Sequence, residues 1–162
     1  MMPWLASLEG SAFSTWLRES NTIWAYPTVL TLHTAGMGIL VGANAAVDLR
    51  LLGLGRQIPL ASLTTAFRAM WIGFWINAIT GVMLFAADAT TKGATVLFMW
   101  KLAFIAVGVV LIVLLGRALY GRGVEAAAVT PAARMCAALS LLVWLAAITA
   151  GRLMAYPGFF SS

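Results

Sequence analysis

The chain contains a single histidine, His33. It stands near the middle of WAYPTVLTLHTAGMGILVG (residues 24–42), an apolar run without a formal charge. A neutral imidazole is the commonest metal ligand and a frequent axial ligand of haem iron, so this placement raises a chemical question. Tyr26, His33, Met37, Asn44 and Asp48 follow at spacings of 7, 4, 7 and 4. At 3.6 residues per turn these five share one helical face, polar and soft in a segment otherwise rich in Leu, Val, Ala and Gly. Three further apolar runs each carry polar groups: Asn77 and Thr80 in NAITGVMLF, Lys101 in MWKLAF, and Arg152 in ITAGRLMAY.

Two cofactor chemistries fit these residue types. A haem b needs an axial ligand, a slot between helices and cations for its propionates. His33 could ligate the iron, with Met37, Met83 or a deprotonated Lys101 as a second ligand and Arg152 receiving a propionate. Gly36, Gly81 and Gly151 would open the space. Copper is the alternative: soft donors suit Cu(I), and His33 with Met37 on one face begins such a site, with Met83 or Met154 to extend it. The plain alternatives stand beside these. His33 hydrogen-bonds Asn or Thr across helices, Lys101 snorkels to the headgroups, and Arg152 anchors a helix end. Hydrolase chemistry finds no support, because the chain has no GxSxG, no HExxH, no phosphate loop and no paired carboxylates at a useful depth. One cysteine, Cys136, rules out an internal disulfide or a cysteine zinc site.

The elements that must position these residues are membrane helices. Of 162 residues, 62% are hydrophobic and 9% charged, and the mean hydropathy is +0.96. Soluble domains carry about 25% charged residues. Net charge is +5, but the basic residues cluster at the ends of apolar runs, which indicates topology and headgroups rather than nucleic acid. Four runs reach the roughly 20 residues that cross a bilayer, near 24–47, 64–87, 95–117 and 132–153. GLGRQIP (53–59), DATTKG (88–93) and GRGVEAAAVTP (121–131) separate them. Thr130 and Pro131 make a good helix start, the threonine as cap and the proline in the first turn. Short connections imply one domain, 1–162, folded as an all-α, up-down four-helix bundle. Residues 4–18 read as one short amphipathic interfacial helix, with Leu5, Leu8, Ala12 and Trp16 near one face and Phe13 beside them. Gly38 and Gly42 form a GxxxG pair suited to close helix contact. Trp71, Trp75 and Trp144 read as core fillers. Asp48 and Arg50 would organise the first turn, and Asp88 with Lys92 a loop ion pair.

Six arginines flank the connections after spans one and three, against three basic residues on the other side. The positive-inside rule then places both termini on the periplasmic face of a bacterial inner membrane. From that outer edge, His33 lies roughly 14 Å deep, Asn77 about 15 Å, Thr80 about 10 Å and Lys101 about 9 Å, with Arg152 at the rim. Polar groups from all four spans thus share the outer half, and a pocket is expected there.

The segments HTAGMGILVG, DLRLLGLGR, NAITGVMLF, MWKLAF and ITAGRLMAY together resemble an uncharacterised family of small bacterial four-span membrane proteins. A remoter likeness is to HemJ-type protoporphyrinogen oxidases and the copper-resistance D membrane domain. The matching positions are His33, Gly42 and Arg50, then Thr80-Gly81, then Lys101-Leu102. By that resemblance His33 and Lys101 are the positions associated with haem b. Many HemJ proteins have another histidine near the end of the lysine-bearing span, where this chain has Arg117. The expected partners are the lipid bilayer and other membrane or redox subunits, and a homo-oligomer is permitted. A non-catalytic structural subunit is the remaining alternative.

The orientation makes a direct prediction. A tag in loop 118–131 should resist an impermeant reagent applied from the periplasm and react once the membrane is opened. Labelling of intact cells at that loop would reverse the topology.

Overall fold

In a computed structural model the chain is all-α, and residues 3–120, 129–154 and 156 are described. The helices are α1 (Pro3–Glu9), α2 (Ala12–Glu19), α3 (Tyr26–Leu52), α4 (Leu63–Ala86), α5 (Ala89–Gly93), α6 (Val96–Tyr120) and α7 (Pro131–Leu153). A 3-10 turn at Leu60–Ser62 leads into α4. Four of them, α3, α4, α6 and α7, are long and apolar enough to cross a membrane. The protein is therefore a multi-pass membrane protein. Helices are the natural answer to lipid, because each satisfies its own backbone N–H and C=O groups where no water can.

The expected boundaries hold to within a few residues, with two instructive differences. The first span does not stop at Val47 but continues through Asp48 to Leu52. The carboxylate is accommodated by neighbours inside the protein, so it does not end the helix. Arg50 does organise the following turn, donating to the carbonyls of Ile58 and Arg56. Gly53 and Gly55 turn the chain there with φ of 109° and 63°, a region other residues avoid. The second difference is at the N-terminus. The single helix expected over 4–18 is two, because Ser11 leaves helical geometry and caps α2 by accepting from the Ser14 N–H. At the start of α7, Thr130 accepts from the Ala133 N–H and Pro131 occupies the first turn, as expected. Residues 121–128 of the preceding connection lie outside the described residues.

The chain packs as two compact units, Met1–Leu40 with Trp71–Thr95, and Val41–Met70 with Val96–Ser162. In the first unit α3 and α4 run antiparallel: His33 meets Thr80 and Gly81, Gly36 meets Asn77 and Gly73, and Leu40 meets Gly73. The contact is backbone to backbone. A Cβ on Gly73 would lie 2.6 Å from the Leu40 nitrogen and 2.8 Å from the Gly36 oxygen. The GxxxG expectation is not met among the described residues: none lies within 4 Å of a Cβ built on Gly38 or Gly42, while Gly36 and Gly73 make the close approach. Trp71 and Trp75 are not core fillers either, since both are exposed on α4, with Phe74 between them in edge-on contact with each.

The same unit anchors the N-terminal segment. Leu17 is buried in a cluster with Ala25, Val29, Leu84 and Ala87. Leu5 lies against Gly93 of α5, where a Cβ would come within 2.9 Å of Cδ1. Arg18 donates to the Ala87 carbonyl at 3.0 Å, and the Thr90 N–H and hydroxyl both donate to Glu9 Oε2. The expected Asp88–Lys92 ion pair forms at 3.8 Å. Trp4, Phe13 and Trp16 stay exposed, as an interfacial segment requires.

In the second unit α6 and α7 are antiparallel, with Gly108 against Trp144 and Lys101 against Gly151. Trp144 does fill the core: a Cβ on Gly108 would sit 2.8 Å from its Cε2. Leu111, Ile112, Leu115, Ala133, Ala137 and Val143 are buried along this pair. Val107, Val110, Leu114, Met135, Leu142 and Leu145 point outward, the inversion expected when the solvent is hydrocarbon.

Two expectations follow. Gly73→Ala forces a methyl into backbone atoms that cannot rotate aside, so thermal unfolding in detergent should show a loss of about 1–3 kcal/mol. Gly38→Ala and Gly42→Ala, facing open space and favoured by helix propensity, should hold or raise stability. The second expectation concerns acid. The Thr90 hydroxyl, then its N–H, with a smaller contribution from Arg18, hold the Glu9 carboxyl below its ordinary 4.5. Because the folded value is depressed, the anchoring is complete above the ordinary range and fades as pH falls through the lowered value. Proteolysis within residues 3–19 should accelerate over that acid range, while Glu9→Gln should remove the pH response.

Candidate functional site

His33 is held by α4. Its Nδ1 lies 3.0 Å from the Asn77 carbonyl oxygen and 3.1 Å from Thr80 Oγ1. The carbonyl can only accept. The Thr80 hydroxyl spends its single proton on the Ile76 carbonyl, at 2.6 Å, so its oxygen also faces His33 as an acceptor. Nδ1 must therefore carry the hydrogen, and in the neutral ring the lone pair resides on Nε2. Asn77 returns the contact by donating from Nδ2 to the His33 carbonyl at 2.8 Å. The ring itself rests on Gly81, where a Cβ would approach Cε1 to 3.1 Å. The sequence pairs these three residues correctly: His33, Asn77 and Thr80 form one hydrogen-bonded group. Met37, one turn along α3, is half-buried.

The other candidates fall in the second unit. The Lys101 stem and ammonium lie over Gly151, with Cε, Cδ and Nζ at 3.5–3.6 Å from a Cβ built there. Arg152 is exposed and donates to the Tyr156 hydroxyl at 3.3 Å, with its guanidinium 5.5 Å from the centre of that ring. The expectation that Gly36, Gly81 and Gly151 open a slot is corrected. Each is a socket already filled, by Ile76 and the α4 backbone, by the His33 ring, and by the Lys101 stem. An apolar groove of about 430 Å³ does exist on the α6–α7 pair, lined by Trp100, Phe104, Leu142, Leu145, Thr149 and neighbours.

A further polar group was only half legible. Asn44 and Asp48 on α3 meet Ser140 of α7, and all three are buried. Asn44 Nδ2 donates to Asp48 Oδ2 at 2.5 Å and to Ser140 Oγ at 2.8 Å, and Ser140 also hydrogen-bonds the carboxyl. Among the described residues Asp48 Oδ1 has no hydrogen-bond partner. The sequence placed Asp48 at the turn and gave Ser140 no part. The available signal was the four-residue Asn44–Asp48 spacing opposite a lone serine in an apolar span.

No three His, Cys, Asp or Glu side chains converge among the described residues. Compared with known proteins, the chain matches no family model, no curated protein and no solved structure.

Proposed function

We propose that this protein binds haem b in the bacterial inner membrane, with Nε2 of His33 as the axial ligand. The observation that carries the reading is the hydrogen bond from His33 Nδ1 to the Asn77 carbonyl. Ligating histidines characteristically donate their other ring N–H to a carbonyl or carboxylate, which fixes the tautomer, aims the ring and raises its basicity. Here α4 supplies that carbonyl, a second acceptor in Thr80 and a glycine platform beneath the ring.

The donor count favours a porphyrin over copper. A porphyrin brings four nitrogens of its own, so one protein ligand suffices. A copper site built from protein alone needs several donors, and with no group of three His, Cys, Asp or Glu among the described residues, thioethers would have to supply the rest. The likeness to HemJ-type proteins points to the same histidine. The group's place is constrained by the Gly36–Gly73 approach, which leaves no gap between the α3 and α4 backbones at that level.

Protein purified gently after expression with ample haem should show a Soret band and, reduced with dithionite, a sharp α-band. His33→Ala should lose both while keeping its helicity and its elution as a folded protein. Thr80→Val should retain the chromophore and shift its reduced spectrum. An unchanged spectrum in His33→Ala, or a flat spectrum from folded wild type, would overturn the assignment.

A further inference from the structure

The second unit holds a titratable group that haem binding leaves unexplained. Asp48 is wholly buried within membrane-spanning α3, one turn before its end at Leu52. An ionised carboxylate removed from water needs a compensating positive charge, or its burial costs several kcal/mol. Among the described residues Asp48 belongs to no ion pair. The nearest cation in sequence, Arg50, is turned to the carbonyls of Ile58 and Arg56, at 2.7 and 3.1 Å. Arg68 on α4, Arg117 on α6 and Arg134 on α7 are exposed, and Cys136, one turn from Ser140, is half-buried. Lys101 lies towards the other end of α6, over Gly151. Among the described residues the groups that touch the carboxylate are the neutral Asn44 and Ser140, and Oδ1 has no hydrogen-bond partner there.

These three side chains are a set of hard oxygen donors. Asp48 offers two oxygens and Ser140 one. Rotation of the Asn44 amide by half a turn exchanges its nitrogen for its oxygen, which adds a fourth. Such a set, with one formal charge and no sulfur or imidazole, suits a small, hard, singly charged ion rather than a transition metal. Intramembrane carboxylates with this kind of neutral polar company mark ion and proton sites by default.

We propose that Asp48, Asn44 and Ser140 form a binding site for a small monovalent cation, H+ or Na+, which supplies the positive charge that no described residue brings to the buried carboxylate. The bound ion neutralises Asp48 and takes Oδ1 as a ligand. In the H+ case the proton forms an O–H bond on the carboxyl. In the Na+ case the ion is held by the oxygens, and no bond in the protein breaks.

Infrared difference spectra of the full chain in a phosphatidylethanolamine–phosphatidylglycerol film test this. One exchange replaces choline chloride with sodium chloride at fixed pH, and a second steps the pH in choline chloride. Each is repeated with Asp48→Asn, in which Glu9, Glu19 and Asp88 still report the carboxylates outside the spans. A carboxyl signal on sodium exchange that disappears in Asp48→Asn assigns Na+. A signal on the pH step alone, lost in the same variant, assigns H+. Identical spectra from wild type and variant in both exchanges would overturn the site. Should Asp48→Asn fail to fold, Ser140→Ala carries the test. It should shift the Asp48 signal and weaken the cation response roughly tenfold, as loss of one hydrogen bond to a charged group implies. A signal unmoved by Ser140→Ala would overturn the proposal equally.

Discussion

In hydrocarbon a polar side chain has no water to fall back on, and that constraint organises this molecule more than any single contact does. A polar group on a span is costly unless it finds a partner on another helix or on its own. Thr31, Thr34 and Thr149 take the local solution, each donating to the carbonyl four residues before it. His33 takes the other, crossing to the Asn77 carbonyl while Asn77 crosses back to the His33 carbonyl. A hydrogen-bond pair of this reciprocal kind fixes both the register of α3 against α4 and the tautomer of the imidazole. Structure and chemistry are thus set by the same two bonds.

Glycine is the complementary device. The apolar spans offer little to discriminate one helix packing from another, since lipid and leucine are alike in polarity. Shape does the discriminating. Gly73 lets two backbones meet, Gly81 receives an imidazole, Gly108 an indole, and Gly151 a lysine stem. Each socket admits one particular neighbour: a methyl would collide outright at Gly73 and Gly108, press on the imidazole at Gly81, and only touch the lysine stem at Gly151. The four sockets lie on three different helices, so the antiparallel pairing within each unit follows from where the side chains are missing as much as from where they are present.

What the sequence made legible divides along the same line. Span number and approximate limits were readable because length and apolarity are one-dimensional properties. The grouping of His33 with Asn77 and Thr80 was readable because depth along a helix converts directly to residue count. Facing was not. Gly38 and Gly42 have the spacing of a helix-contact motif, yet Gly36, two residues earlier and 200° of rotation away, makes the contact. Trp71 and Trp75 could not be told from core aromatics, since in lipid the outward face of a helix is as apolar as the inward one. Ser140 was invisible for the opposite reason: a lone small hydroxyl in an apolar span carries no signal until its partners on α3 are placed beside it.

The anchoring of the N-terminal segment carries a consequence of timing. Its two longest-range bonds, Arg18 to the Ala87 carbonyl and Glu9 to Thr90, join residues 69 and 81 positions apart. A ribosome delivers the first partner of each pair long before the second. Until α4 and the start of α5 have been made, α1 and α2 have only each other and the residues around the start of α3, Ala25 and Val29, to dock against. Their bare aromatic residues, Trp4, Phe13 and Trp16, are then suited to hold them at the lipid surface in the interval. Residues 3–19 precede α3 in the chain, yet their contacts are complete only once α4 and the start of α5 exist.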